Sequence, residues 1–116
     1  MFPTDVLETT GARSGERRRN AVIYFHDGDR VIIVASNAGA ARHPSWYHNL
    51  HANPDVTFAG IPMHASEIQD PVDLERLQAL VDRVFPAFTT YRHDAARFHR
   101  QIPIIELQPN QNGSQP

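Results

Sequence analysis

The dipeptide Asp27-Gly28 constrains the fold most, because it stands between two runs rich in β-branched and aromatic residues, 18–25 and 31–35. Asp-Gly supplies the left-handed backbone that a two-residue hairpin turn requires, so these runs are expected to pair antiparallel. A strand over 5–10, followed by the turn-forming stretch Gly11-Ala12-Arg13-Ser14-Gly15, extends the hairpin to a three-strand meander. The run Val31-Ile32-Ile33-Val34-Ala35 has no polar alternation. Such a strand needs cover on both faces, which points to a central strand of a closed or half-closed barrel.

The rest of the chain supplies that cover. Residues 37–41 form a loop of small side chains, His43-Pro44 opens a helix to about residue 52, and Asn53-Pro54 stops it. Strands over 56–59 and 63–68 flank a turn at Gly60-Ile61-Pro62. Leu74, Leu77, Leu80, Val81, Val84 and Phe85 recur at helical spacing, so 72–84 reads as an amphipathic helix ended by Pro86. A short helix over 90–98 and a last strand over 102–107 follow. The expected fold class is α+β: six mostly antiparallel strands in a small barrel, one helix between strands three and four, and two helices before the last strand. One domain is expected over 1–108, with 109–116 a polar tail.

A chain of 116 residues with 41% hydrophobic residues suits one domain with one core. It has no cysteine, which excludes a disulfide framework, a thiol nucleophile and a cysteine-ligated metal. No apolar stretch approaches the ~18 residues of a membrane span and the N-terminus has no signal-peptide pattern, so the reading is a cytoplasmic protein. All 11 basic residues are arginines. The formal charge is −2 overall, yet within 13–19 four arginines (Arg13, Arg17, Arg18, Arg19) face only Glu16. An anionic partner would be met there, whereas one short basic segment on an acidic chain argues against nucleic acid.

Single residues have ordinary readings first. The Gly11 to Gly15 turn lacks the Gly-Lys-Ser/Thr of a phosphate loop, although its backbone donors beside arginines suit an anion. Of His43, His48 and His51 only the last two share helical spacing, with no carboxylate or cysteine beside them in the helix, so no metal site is expected. Ser36 follows a buried strand without a nucleophile elbow around it. Trp46 and Tyr47 read as core aromatics or as walls for a flat ring, and Phe85, Phe88 and Tyr91 as a core stripe.

Taken in order, Thr9-Thr10-Gly11-Ala12-Arg13-Ser14-Gly15, Tyr24-Phe25-His26-Asp27-Gly28-Asp29-Arg30, Val34-Ala35-Ser36-Asn37-Ala38-Gly39-Ala40 and the block from His43-Pro44-Ser45-Trp46-Tyr47 to Ala52-Asn53-Pro54 resemble the deazaflavin-dependent nitroreductase and quinone reductase family. The likeness spans about 6–109, and Arg100-Gln101-Ile102-Pro103 supports it. It implies a split β-barrel like that of FMN-binding oxidoreductases and a preference for coenzyme F-420, a deazaflavin with a phosphate and an oligoglutamate tail, with FMN the lesser candidate. Carried over by position, Arg13, Ser14 and Arg18 would hold the anionic tail. Ser36, Asn37, Ala38 and Gly39 would offer backbone donors to the phosphate and ring edge, Ala21 and Val22 would line the ring, and Pro44 and Trp46 would pack near it. Phe85, Phe88 and Tyr91 would cover the acceptor, with Ser36 and Tyr91 as the hydroxyls that hydrogen-bond it or donate a proton.

Several positions depart from the family's pattern. Phe85 and Phe88 replace tyrosines found in members best known for nitroimidazole reduction. Asn37 replaces a usual lysine, and Gly11-Ala12-Arg13-Ser14-Gly15 replaces Gly-Arg-Lys-Ser-Gly, with Arg17, Arg19 and Arg42 as candidate compensating cations. Strand one opens almost at residue 1, without the amphipathic extension by which some relatives approach membranes, so a soluble form without a stable membrane anchor is expected. The resemblance implies an oxidoreductase that uses reduced coenzyme F-420 to pass hydride to a quinone, nitroaromatic or other planar small molecule. The alternative is a protein of the same fold that binds a deazaflavin, flavin or other hydrophobic ligand without turnover. An exposed apolar face on the hairpin 56–68 would support a homodimer.

Overall fold

Strands β1 (Thr4–Thr10), β2 (Arg17–Asp27) and β3 (Arg30–Val34) form the expected meander in a computed structural model, which describes residues 3–110. A 3-10 turn at Asn37–Gly39 and helix α1 (Ser45–Ala52) lead to β4 (Asp55–Phe58) and β5 (Ile61–Glu67). Helices α2 (Pro71–Val84) and α3 (Ala87–Ala96) precede β6 (Ile104–Pro109). The strands close a barrel in the order β1-β2-β3-β6-β5-β4, every neighbouring pair antiparallel. Closure comes where Leu7 faces Phe58 and Glu8 faces Thr57.

Alternation along closed strands sends every second side chain inward. Leu7, Val22, Ile33, Val56, Phe58, Met63 and Leu107 are among the residues that fill the interior, and Trp46 and Leu50 of α1 pack onto them. On the outer face, Phe25, Ile32 and Ile104 pack against Leu77 and Val81 of α2 and Phe88 of α3. The unbroken apolar run of β3 is thereby explained: Ile33 points into the barrel, Ile32 lies under the helices, and both are 0% exposed. Truncating either to alanine removes a fully buried side chain and costs about 2–5 kcal/mol.

Helix α2 starts at Asp70, whose carboxylate accepts the Asp73 N–H at 3.0 Å, with Pro71 in the first turn. Arg30 then fastens it to the barrel, bonding Asp27 at 2.6 Å, Asp73 at 2.9 Å and Glu106 at 2.9 Å. Hydrogen bonds from Arg76 and Arg30 hold the Asp27 carboxyl well below the usual carboxylate range.

Several boundaries differ from expectation, among them the turn after β2, which is Gly28-Asp29 because Asp27 still pairs with Arg30. The β4–β5 turn is Ala59-Gly60, both with positive φ (52° and 80°), and Ile61 and Pro62 already belong to β5. Pro62 is exposed. Helix α3 begins at Ala87 rather than 90, because proline suits the start of a helix as well as its end and Pro86 occupies the N-cap. Strand β6 starts at Ile104, two residues late, since Ile102 and Pro103 are a buried connector, and it runs on to Pro109. Pro109 therefore belongs to the barrel instead of opening the tail, while residues 111–116 lie outside the described residues. The apolar side chains of the 56–68 hairpin (Val56, Phe58, Met63, Ala65, Ile68) are buried, which removes the exposed face expected to pair two copies; Ile61 alone of its large hydrophobics is exposed.

Candidate active site

Strand β2 lines two cavities in succession, residues 17–20 the first and residues 21–23 the second. The start of α1 separates them: Ser45 faces the first, and Pro44 and Trp46 face the second.

The first cavity, about 740 Å³, is lined by the 11–14 turn, Arg17, Arg18, Arg19, Asn20, Ser45, His48 and Asn49. The turn closes tightly, with Gly11 N donating to Glu16 O at 2.7 Å, Gly15 N to Gly11 O at 3.0 Å, and Glu16 N to Ser14 Oγ at 3.1 Å. A Cβ on Gly11 would sit 2.5 Å from Ser14 Oγ, so a side chain there would displace the hydroxyl that accepts from Glu16 N. Asn49 joins this turn to α1: its Oδ1 accepts the Ala12 N–H at 3.0 Å and its Nδ2 donates to Thr9 Oγ1 at 3.2 Å.

The four arginines are not equivalent. Arg17 donates to Thr10 Oγ1 and Thr57 Oγ1 and lies 3.7 Å from Glu8, which Arg19 approaches to 3.3 Å. Arg18 has only the exposed Glu16 at 3.7 Å, and Arg13 has no ion pair among the described residues. Arg13 and Arg18 are therefore the cations least neutralised by a nearby carboxylate. Arg17 and Arg19 share their charge with Glu8, and Arg42 lines neither cavity, so the expected compensation by these three is weaker than the sequence suggests.

The second cavity, about 310 Å³, brings together Ala21, Val22, Ile23, Val34, Ser36, Asn37, Ala38, Pro44, Trp46, Phe85, Phe88 and Tyr91. Phe85 and Phe88 meet edge to face with centroids 4.6 Å apart, and Tyr91 stands 5.9 Å from Phe88. The hydroxyls of Ser36 and Tyr91 make no hydrogen bond among the described residues.

The adjoining loop has an uncommon backbone. Asn37, Ala38 and Gly39 all adopt left-handed conformations, with φ of 46°, 54° and 77°. The Asn37 side chain donates to Arg42 O at 2.9 Å, and Gly39 N donates to Ser36 O at 2.9 Å. The N–H groups of Asn37 and Ala38 have no partner among the described residues. Gly39 does not face the cavity, contrary to expectation, and its N–H is already spent. It packs against α3 so closely that a Cβ would stand 2.8 Å from Tyr91 O.

Behind the loop, Arg100 donates to Ser36 O at 2.9 Å, to Ala40 O at 2.8 Å, to Ala35 O, and to His43 Nδ1 at 2.8 Å. Burial and the adjacent Arg100 push His43 below the ordinary histidine range, which keeps Nδ1 an acceptor. Glu67 Oε1 accepts from Tyr47 Oη at 2.6 Å and lies 2.8 Å from His51 Nε2. Burial and Glu67 push the Tyr47 hydroxyl up to about 12. No group of three or more residues suited to a metal occurs among the described residues.

Sequence reading assigned no role to Asn49, His43 or Arg100. For Asn49 a signal existed, since Trp46, Asn49 and Leu50 share the buried face of α1 and a polar residue there demands a partner. Arg100 stood inside a motif already used for recognition, but a lone arginine gives no local hint that it will be 8% exposed.

A family model described as F420H(2)-dependent quinone reductase matches residues 1–109. An F420H(2)-dependent quinone reductase of Mycobacterium tuberculosis is 38% identical over 111 residues, covering 90% of this chain and 72% of the relative. The solved structure of an F420-H2 dependent reductase (FDR-A) superposes with a TM-score of 0.77 at 28% identity, over 91% of this chain and 94% of that one. A structure described as a domain-swapped dimer gives the same TM-score and identity, over 91% of this chain and 80% of that one.

Proposed function

The chain belongs to the F420H(2)-dependent quinone reductase family, and on that footing we propose that it transfers hydride from reduced coenzyme F-420 to a quinone or a similar planar acceptor. The observation that carries this reading is the adjacency of the two cavities along β2, one cationic and one walled by apolar and aromatic side chains. A ligand with a flat ring and an anionic tail matches both at once. The donor set fits the coenzyme: the two least neutralised arginines for phosphate or carboxylate, then two unpartnered backbone N–H groups beside the apolar slot.

On this reading Arg13, Ser14 and Arg18 hold the tail, with Ser45 and His48 on the cavity's other wall. Ala21, Val22, Pro44 and Trp46 bound the ring, and the N–H groups of Asn37 and Ala38 meet its polar edge or the phosphate. The bound deazaflavin supplies the hydride; the protein supplies orientation and charge stabilisation. Phe85, Phe88 and Tyr91 cover the acceptor and keep water from it. Ser36 and Tyr91 donate hydrogen bonds to the acceptor oxygen that gains negative charge, and one of them passes it a proton. With phenylalanine at 85 and 88 the cover is mostly apolar, which favours a quinone over a nitroaromatic that needs more donors.

A relative and a structural neighbour both described as reductases favour turnover over a binding protein without it. A homodimer is supported by the neighbour described as a domain-swapped dimer. Light scattering that returns the mass of a single chain would remove that part of the reading. No helix among the described residues is long and apolar enough to cross a membrane.

Trp46 is the single tryptophan and lines the ring cavity, so its fluorescence reports binding directly. Titration with oxidised coenzyme F-420 is expected to quench it at micromolar or lower concentration. Arg13→Ala and Arg18→Ala should each weaken binding about tenfold, as loss of a charge-assisted hydrogen bond does. Quenching by FMN with no response to the deazaflavin would contradict the proposal.

A further inference from the structure

The left-handed backbone at Asn37 and Ala38 needs a cause. Such a backbone in a non-glycine residue is strained and persists only where the surroundings over-determine it. The turn's own hydrogen bonds and the packing of Gly39 on α3 supply part of that determination, and Arg100 supplies the bonds that reach both of its flanks. It enters from the segment after α3, far away in sequence, and bonds the carbonyls on both flanks of the turn, at 35, 36 and 40. Among the described residues it has no carboxylate partner, and it is 8% exposed. Burying a guanidinium this way is unfavourable, and carbonyl oxygens satisfy its donors without neutralising its charge. A positive potential therefore stands behind the two unpartnered N–H groups.

We propose that Arg100 is a positioning residue for the ligand cavity: it fixes the 35–40 turn so that the N–H groups of Asn37 and Ala38 stay in one conformation beside the ligand, and His43 orients the guanidinium as its fourth acceptor. The inference rests on the reductase reading only for the identity of the ligand. His43 serves only while Nδ1 is unprotonated, because protonation would set one donor against another. The groups around its ring are Arg100, Tyr47 at 4.4 Å between centroids, His48 and His51 on α1, and Glu67 on β5. Arg100, His48 and His51 oppose protonation and Glu67 favours it. Acidification through the histidine range should thus loosen the turn and weaken ligand binding.

Three proteins test this: the unaltered chain, Arg100→Lys and His43→Gln. Amide hydrogen exchange over 35–41, without any ligand, should be at least about tenfold faster in Arg100→Lys while the barrel strands exchange as before. Affinity for oxidised coenzyme F-420, read by Trp46 fluorescence, should fall about tenfold in the same variant. The unaltered chain should lose affinity between pH 7.5 and pH 5, and His43→Gln, whose amide oxygen can still accept from Arg100, should keep the neutral-pH affinity and flatten that loss. Turn exchange in Arg100→Lys equal to that of the unaltered chain would overturn the inference. A pH profile shared by the unaltered chain and His43→Gln would overturn the part assigned to His43. If Arg100→Lys does not fold, Arg100→Gln, which removes the charge and keeps at most two of the donors, carries the exchange measurement to the same decision. Failure of the unaltered chain to bind the coenzyme would sink the reductase reading instead, with the exchange result still deciding the role of Arg100.

Discussion

The side-chain oxygen of Asn49 accepts the Ala12 N–H at 3.0 Å across 37 residues of sequence, and so fixes the arginine-bearing turn to α1. The same helix contributes Trp46 to the ring cavity, so this amide ties the turn of the first cavity to the helix that lines both. Its other end donates to Thr9, which is 0% exposed. Asn49→Ala would leave the buried Thr9 hydroxyl and the Ala12 N–H of an exposed residue short of a partner and should destabilise the fold by about 1–3 kcal/mol in urea unfolding. Coenzyme affinity should drop with it. Unchanged stability and affinity would show that the turn holds its place without Asn49.

Gly39→Ala is expected to be among the most damaging single-methyl additions in the chain. The new Cβ would stand 2.8 Å from Tyr91 O and 2.9 Å from Asp94 Cβ, on backbone at φ 77°. Left-handed strain and overpacking each contribute, for a loss of about 2–4 kcal/mol in thermal or urea unfolding. Gly28→Ala, also left-handed but with nothing within 4 Å, separates the two terms and should cost only about 1 kcal/mol.

The fold was legible wherever local pattern and final environment agree. The turn expected at Asp27-Gly28 forms one residue on, at Gly28-Asp29, with Gly28 at φ 61° and Asp27 still paired to Arg30, and the apolar run of β3 is covered on both faces as its composition demands. Proline was the main source of displaced boundaries, since Pro62, Pro86 and Pro109 each suit a strand or helix end in two ways. The cavity residues were legible by resemblance, and most of them do meet around one space. What could not be read was long-range polar pairing. The Arg30 cluster, Asn49 with Ala12, and Arg100 with three carbonyls join segments 37 to 76 residues apart, and no periodicity encodes such partners.

The pH dependence of stability should have two steps. His43 is held below its ordinary value near 6.5, so between the two values the unfolded chain binds more protons than the folded one. Its contribution is present above about pH 6.5 and is lost as pH falls through that window. Asp27, Asp73 and Asp82 are held low by arginine partners, and their contribution is lost only below about pH 4. Urea midpoints from pH 8 to pH 3 should show both declines. His43→Gln should abolish the first and leave the second; persistence of the first would assign it elsewhere.

If Tyr91 and Ser36 serve the acceptor, their removal should leave coenzyme binding alone. The double variant Tyr91→Phe, Ser36→Ala is expected to lower kcat by about 10²-fold, the scale of a lost proton donor, with KM for the coenzyme unchanged. A rise in that KM with kcat preserved would place both hydroxyls on the coenzyme.

The most direct test mixes the purified chain with reduced coenzyme F-420 and a panel of quinones without oxygen, following the return of the oxidised deazaflavin's absorbance. The account predicts saturable, protein-dependent oxidation with at least one quinone, and a coenzyme KM that rises in Arg13→Ala and Arg18→Ala. No oxidation above the protein-free rate with any quinone, from a chain that binds the coenzyme, would contradict it.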